Sequence, residues 1–173
     1  MDPVKANETL TITTKVVLPN ETNNMGNLFG GQLLAWMDVS ASVASYRLCH
    51  RTVTTASVNN VSFDRPIPDG AIVTLEAKVS RSFRSSMEVF IDVFMEDPRD
   101  NTRDRIKCNE AIYTFVALGY DGRPVAVPEL VPETKEEIAR FNGALRRKQL
   151  SLILAGKMRP DEATELKALF FKE

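Results

Sequence analysis

Residues 23–50, NNMGNLFGGQLLAWMDVSASVASYRLCH, pass from a polar turn through the pair Gly30-Gly31 into a long apolar stretch without proline. Leu33, Met37, Ala41, Ala44 and Leu48 recur at steps of four, four, three and four, which is one face of an α-helix running from Gly30 to about His50. Ser40, Ser42 and Ser45 stand among alanines, and side chains this small let a neighbouring element pack very close. One carboxylate, Asp38, interrupts the apolar stretch, where a charge is costly without a reason.

On the N-terminal side, Thr9–Leu18 (TLTITTKVVL) alternates and is rich in β-branched residues, which predicts a strand. On the C-terminal side four more strands are predicted, over Val53–Phe63, Ala71–Ser82, Ser86–Glu96 and Arg105–Leu118. Asp69-Gly70 is a strong turn signal between the first two. Arg84-Ser85-Ser86 makes a tight link between the next two, and Asp97 to Asp104 is a charged turn. Val89, Ile91, Val93 and Met95 fall on one face of their strand, with Phe90 and Phe94 on the other. Apolar residues on both faces predict a sheet covered by a helix on one side and by another subunit on the other. One strand, a long helix and four consecutive strands predict an α+β chain of the hotdog type, an antiparallel β-sheet wrapped around a long central α-helix. Pro124–Pro132 reads as extended, Thr134 as the N-cap of a helix to about Ala155, and Pro160-Asp161-Glu162 as the start of a last short helix ending near Phe171. The expected division is a hotdog domain over residues 1–130 and a C-terminal helical extension over 131–173.

The bulk composition narrows the function. With 22 basic and 23 acidic residues the net charge is −1, which argues against a general nucleic-acid binder. No apolar run approaches the ~18–20 residues that span a membrane. Met1-Asp2-Pro3-Val4-Lys5 lacks the apolar core of a signal peptide, and a cytoplasmic protein is expected. Cys49 and Cys108 have no metal-ligand spacing and suggest no disulfide framework. No phosphate loop, dinucleotide fingerprint or H-E-x-x-H motif is present, so no metal and no separate cofactor are expected.

The helix start carries the chemistry. An α-helix leaves its first four N–H groups unpaired, with roughly half a positive charge at that end. Glycine lets a ligand approach the backbone closely. The amides near Gly30 and Gly31 could therefore hold the oxyanion formed when water attacks a carbonyl; equally, the glycines could serve a tight turn or close packing. Asp38 lies eight residues beyond Gly30, about 12 Å at the α-helical rise. A base and an oxyanion hole must lie within a few ångströms of one carbonyl, so one subunit's helix cannot supply both. An antiparallel partner helix could, and an obligate dimer is predicted. As a purely structural residue, Asp38 would be a buried acid satisfied by hydrogen bonds. Asn23 or Asn24 could orient water or bond a thioester carbonyl, or could cap an Asx-turn.

Other plans do not suit the chain. His50, the sole histidine, lies at the far end of the helix, and Cys49 beside it points ~100° away. The run from Arg140 to Arg159 has six basic residues and no acidic one. Its Arg146-Arg147-Lys148 cluster reads as a solvated face or as a phosphate site, and Arg84 is a second phosphate candidate. Phosphates far from the reacting carbonyl would suit coenzyme A.

Together these residues resemble the acyl-CoA thioesterases of the hotdog superfamily, the group containing cytosolic and brain-type long-chain acyl-CoA hydrolases and short bacterial homologues. The pattern N-x-x-G-N-x-x-G-G-x-x-x-x-x-x-D from Asn23 to Asp38 carries the resemblance, with Val53–Val58, Phe83–Glu88 and Val127–Thr134, over roughly residues 9 to 150. The resemblance implies hydrolysis of acyl-CoA to a free fatty acid and coenzyme A, with Asp38 as the catalytic acid and Asn23 as the catalytic asparagine. It implies coenzyme A contacts at Ala56, Ser57 and Val58, at Ser85, Ser86 and Met87, and at Arg147 and Lys148. It also implies a homodimer with shared sites, assembled as a trimer of dimers. A non-catalytic acyl-CoA sensor on the same fold is the other reading, and the presence of both Asn23 and Asp38 weighs against it.

Overall fold

A computed structural model describes residues 1–100 and 104–170. Five antiparallel strands form one sheet in the order β2-β4-β5-β6-β3. They are β2 (Thr11–Val16), β3 (Thr52–Phe63), β4 (Ile72–Ser82), β5 (Ser86–Glu96) and β6 (Ile106–Leu118). Each falls within about two residues of its predicted span, because the alternation that marks a half-buried strand is present in all five. Gly70 takes the left-handed backbone (φ +78) that the Asp69-Gly70 turn requires. Phe83 N–H donates to Ser86 O at 2.7 Å and closes the tight link. A short parallel pair, β1 (Val4–Lys5) with β7 (Leu130–Val131), joins the N-terminal segment to the stretch that follows β6. Two residues per strand are too few to show a period, so the sequence reading has only an extended Pro124–Pro132 there.

Helix α1 (Gly30–Cys49) crosses one face of the sheet. Leu33, Met37, Ala41, Ala44 and Leu48 are all at most 2% exposed and meet the inward residues of β4, β5 and β6. Ser40 and Ser45 are buried too, and Ser40 Oγ donates to Thr13 Oγ1 at 3.0 Å. Ser40, Ala41, Ala44 and Ser45 bring the helix close to its own sheet. The outward face is a different stripe, Ala35, Val39, Val43 and Tyr46, with Val39 and Tyr46 more than half exposed.

The opposite face of the sheet is also covered differently from expectation. Helix α2 (Lys135–Leu154) of the same chain lies across it, held by charged groups. Arg147 makes two hydrogen bonds to the carboxylate of Glu88, at 2.7 and 3.0 Å. Arg140 pairs with Asp92 at 2.7 Å and stacks over Phe90, and Lys78 pairs with Glu137 at 2.9 Å. Alternation put Glu88, Phe90 and Asp92 on one face, and arginine satisfies such a face because its fork pairs carboxylates and its plane stacks on rings.

Thr134 caps α2 as predicted. Glu137 N–H donates to its hydroxyl at 3.2 Å, while the Glu137 carboxylate accepts from the Glu133 and Thr134 N–H groups. Burial pushes the Glu137 carboxyl up, but those two amides and the Lys78 ammonium outweigh it and hold it at about 2, below its ordinary 4.5. A carboxyl depressed in the folded state stabilises the fold above the unfolded value, and that stability is lost as pH falls toward the folded one. Glu137→Gln should therefore flatten the loss of stability between pH 4.5 and about 2 seen in acid-titrated urea melts of the unaltered protein. The last short helix, α3 (Thr164–Lys167), follows a 3-10 turn at Pro160–Glu162; its predicted end near Phe171 lies outside the described residues.

Candidate active site

Two first-turn amides of α1, those of Gly30 and Gly31, are open. Gln32 N–H and Leu33 N–H both donate to Phe29 O, and no acceptor among the described residues faces the N–H groups of Gly30 and Gly31. Packing does not demand these glycines. Neither has a left-handed backbone, and a Cβ on Gly30 would make an ordinary 3.5 Å contact with the Phe63 ring. One on Gly31 would meet only the ring of the exposed Phe29, which can swing aside. What the pair provides is access to two unpaired donors at the positive end of a 20-residue helix.

Asn23 stands beside them. Its Oδ1 accepts from Met25 N–H at 2.9 Å and from Asn27 N–H at 3.2 Å, so the Asx-turn is present. That leaves the Nδ2 hydrogens as the available function, a donor and not an acceptor. Asn24 is exposed and lies outside this cleft. Asn23, Gly30, Leu33, Phe63, Arg65 and Asn109 line a cleft of about 370 Å³.

Asp38 is two turns along, on the half-buried edge of α1. Thr55 Oγ1 on β3 donates to its Oδ1 at 2.7 Å, which aims one oxygen and leaves Oδ2 without a described partner. Beneath the same turn, Tyr113 OH donates to Leu34 O at 3.0 Å. Burial, and then the charge of Asp38, push the Tyr113 hydroxyl up to about 12, so it stays a neutral donor. Because α1 is continuous from Gly30 to Cys49, the ~12 Å between its first amides and Asp38 stands. The fold does not bring Asp38 to the glycines of its own chain. His50 is exposed at the far end of α1, remote from both.

A second cleft of about 560 Å³ collects residues from four separate stretches of sequence. Ser57 and Asn59 come from β3, Phe83 and Ser86 from the β4–β5 link and the start of β5, Ile112 and Thr114 from β6, and Arg147 and Lys148 from α2. The bulge at Ala56 turns Ser57 away from the face on which Thr55 meets Asp38, so the cleft opens on the α2 face of the sheet, at its β3 edge. Arg147 and Lys148 part company here. The Arg147 guanidinium is committed to Glu88, which is 5% exposed. Lys148 has no carboxylate partner among the described residues; its ammonium sits 3.6 Å over the Phe83 ring. Burial and the neighbouring Arg81 push the Lys148 ammonium below its ordinary value.

The remaining predicted residues divide. Ala56 is the extra residue of a β-bulge between Thr55 and Ser57, and Ala56 and Val58 are exposed. Ser85 is half-buried, and its carbonyl accepts from Ala117 N–H. Arg84 is exposed at the turn, outside the cleft. Met87 is fully buried in the core beneath α1, and its strand is paired on both sides, so its side chain does not reach the cleft. Thr55 and Arg81 were not singled out by sequence. Thr55 lies in the TVTTASV run, but its role depends on a contact 17 residues back along the chain. Among the described residues no group of three or more His, Cys, Asp or Glu could hold a metal, and no helix is long and apolar enough to cross a membrane.

The family model described as "Thioesterase superfamily" matches residues 25–101. The "Uncharacterized acyl-CoA thioester hydrolase YkhA" of Bacillus subtilis (strain 168) is 42% identical over 140 residues, 81% of this chain and 80% of that protein. Against longer mammalian relatives the chain spans only 25% to 33% of their length. Among solved structures, an apo-hexameric acyl-CoA thioesterase superposes with a TM-score of 0.85 at 32% identity, covering 90% of this chain and 98% of that one. An acyl-CoA hydrolase from Staphylococcus aureus, in complex with butyryl coenzyme A, coenzyme A and coenzyme A disulfide, gives 0.81 at 29% identity, covering 89% and 94%. Variants of that enzyme carry alanine in place of one asparagine, one aspartate or one threonine, which are 15 and 17 residues apart in that order.

Proposed function

The chain belongs to the thioesterase superfamily of hotdog acyl-CoA thioester hydrolases, and from that premise we propose that it cleaves acyl-CoA at sites shared between two subunits. One observation carries the reading: on a single continuous helix, two open amides and an oriented carboxylate lie ~12 Å apart, too far to serve one carbonyl. The spacing of Asn23, Asp38 and Thr55 supports it, since 15 and 17 residues also separate the three residues exchanged in the Staphylococcus aureus enzyme. The surface supports it too. The edge strand β3 is largely exposed and adjoins the apolar outward stripe of α1, which suits a second copy of the chain. A trimer of such dimers agrees with the hexameric neighbour.

In this arrangement the Gly30 and Gly31 amides and the Asn23 Nδ2 of one subunit donate to the thioester carbonyl oxygen. Asp38 of the partner subunit, aimed by its threonine, takes a proton from water as the water oxygen bonds to the carbonyl carbon. The C–S bond then breaks, and the sulfur leaves with the electron pair and collects the proton. The coenzyme A arm lies along the cleft that begins at Ser57. Lys148, an unneutralised cation with Arg81 behind it, meets a phosphate, while Ser86 and Phe83 line the way.

Asp38→Asn tests this reading. The amide keeps the shape and can still meet Thr55, but it cannot take a proton. The expected result is a kcat lowered by roughly 10²–10⁴-fold, with the oligomer and KM little changed, in an assay of thiol release. Near-normal turnover would remove Asp38 from the mechanism.

A further inference from the structure

A water molecule attacks from a defined direction only when both of its hydrogens are held, leaving a lone pair aimed at the carbonyl carbon. In the mechanism proposed above, Asp38 of the partner subunit accepts one hydrogen. Asn23 cannot accept the other, because its Oδ1 already takes two backbone N–H groups. The glycine amides only donate.

Among the described residues, the cleft at the start of α1 contains one buried side-chain acceptor without a partner. Asn109 lies on β6, on the face that carries Ala111 and Tyr113 toward α1, and is 1% exposed. It pairs in register with Phe63, whose ring is the nearest neighbour of Gly30 across the cleft. Its Nδ2 donates to Ser62 O at 3.0 Å, which settles which way the amide faces. Its Oδ1 is buried without a hydrogen-bond partner among the described residues, and Asn109 lines the same cleft as Asn23 and Gly30. A buried acceptor left unpaired is costly, and water is the partner of the right size.

We propose that Asn109 Oδ1 accepts the second hydrogen of the attacking water, making Asn109 a further catalytic residue of this hydrolase. The inference rests on the shared-site mechanism. The water oxygen forms the bond to the carbonyl carbon, one proton passes to Asp38 of the partner subunit, and the other stays on oxygen, hydrogen-bonded to Asn109. The amide neither gains nor loses a proton. The Asn23 amide and the helix amides hold the carbonyl from the donor side, and Asn109 holds the nucleophile from the acceptor side.

Competition between nucleophiles tests it. The full-length chain, unaltered and as Asn109→Ala and Asn109→Asp, is given one acyl-CoA in water with a fixed concentration of hydroxylamine, and acid and hydroxamate are counted. Asn109→Ala should lower kcat for hydrolysis by about 10–100-fold with KM within about twofold. Hydroxylamine has a different hydrogen-bonding geometry and depends less on the seat built for water, so the hydroxamate-to-acid ratio should rise about tenfold. Asn109→Asp keeps an acceptor in place and should retain more hydrolysis and a ratio nearer the unaltered one. Hydroxamate formed without enzyme is measured and subtracted, after which the ratio does not depend on how much of a variant folds. An unchanged ratio, whether both products fall together or neither falls, overturns the assignment. Failure of the shared-site reading looks different: it appears as near-normal turnover in Asp38→Asn, whatever the Asn109 variants do.

Discussion

Equal amounts of Asp38→Ala and Asn23→Ala protein, mixed and allowed to exchange subunits, are expected to regain about a quarter of the unaltered rate, as follows from the two-fold symmetry of the dimer. Each variant alone should be slowed by roughly 10²–10⁴-fold, the usual range for loss of a positioned acid–base group. Half of the dimers in the mixture combine one chain of each kind. Each such dimer has one site with both residues intact and one with neither. A single-chain site allows no recovery, since every chain then carries a defect in its only site. The mixed sample should therefore rise far above either parent. Thiol release measured before and after exchange, with exchange followed by native mass spectrometry, decides the matter: demonstrated exchange without recovery would sink the shared site. The geometry behind this expectation is the two turns of helix between the open amides and Asp38.

Arg147→Ala should act on stability, and Lys148→Ala on substrate binding, although the two residues are adjacent. Arg147 is the bidentate partner of Glu88, and the Glu88 side chain is 6% exposed. Removing one member of a buried pair leaves the other charge stranded, at a cost of about 3–5 kcal/mol. For a chain of this length the melting temperature should fall by roughly 10 °C. Lys148 has no carboxylate to strand, and its ammonium is already disfavoured by burial and by Arg81. Its loss should leave the melting temperature nearly unchanged and raise KM for acyl-CoA about tenfold, equivalent to ~1.4 kcal/mol of binding. Thermal melts and steady-state kinetics on the two variants separate the roles. If Arg147→Ala melts like the unaltered protein while raising KM as much as Lys148→Ala, then Arg147 is a ligand contact and not a structural clamp.

The same pair shows how far sequence reading reached. Arg146-Arg147-Lys148 stood out as a basic cluster, but the sequence could not assign the charges. That assignment depends on which cation faces Glu88 across 59 residues of chain. Asn23 behaves likewise. Its place in the polar turn was legible, and so was an Asx-turn, but only the observed bonds show that its carbonyl is spent and its amide free. The small residues of α1 were legible as a tight-packing surface, but a helix face in sequence does not say what lies opposite it. Thr55, within the matched Val53–Val58 stretch, and Asn109 gave no local signal of their roles. Each matters through a partner on another element, Thr55 through Asp38 and Asn109 through Phe63 and Ser62.

The sequence by itself determined the elements, their order, the core face of α1 and the segment from Asn23 to Asp38 that holds the donors and the carboxylate. Those properties follow from period, turn chemistry and helical rise, all of which act over a few residues. The tertiary structure alone decided which polar groups are spent and which stay open. Hydrogen bonds and ion pairs saturate, so a group's availability depends on neighbours that only the folded chain brings within about 3 Å.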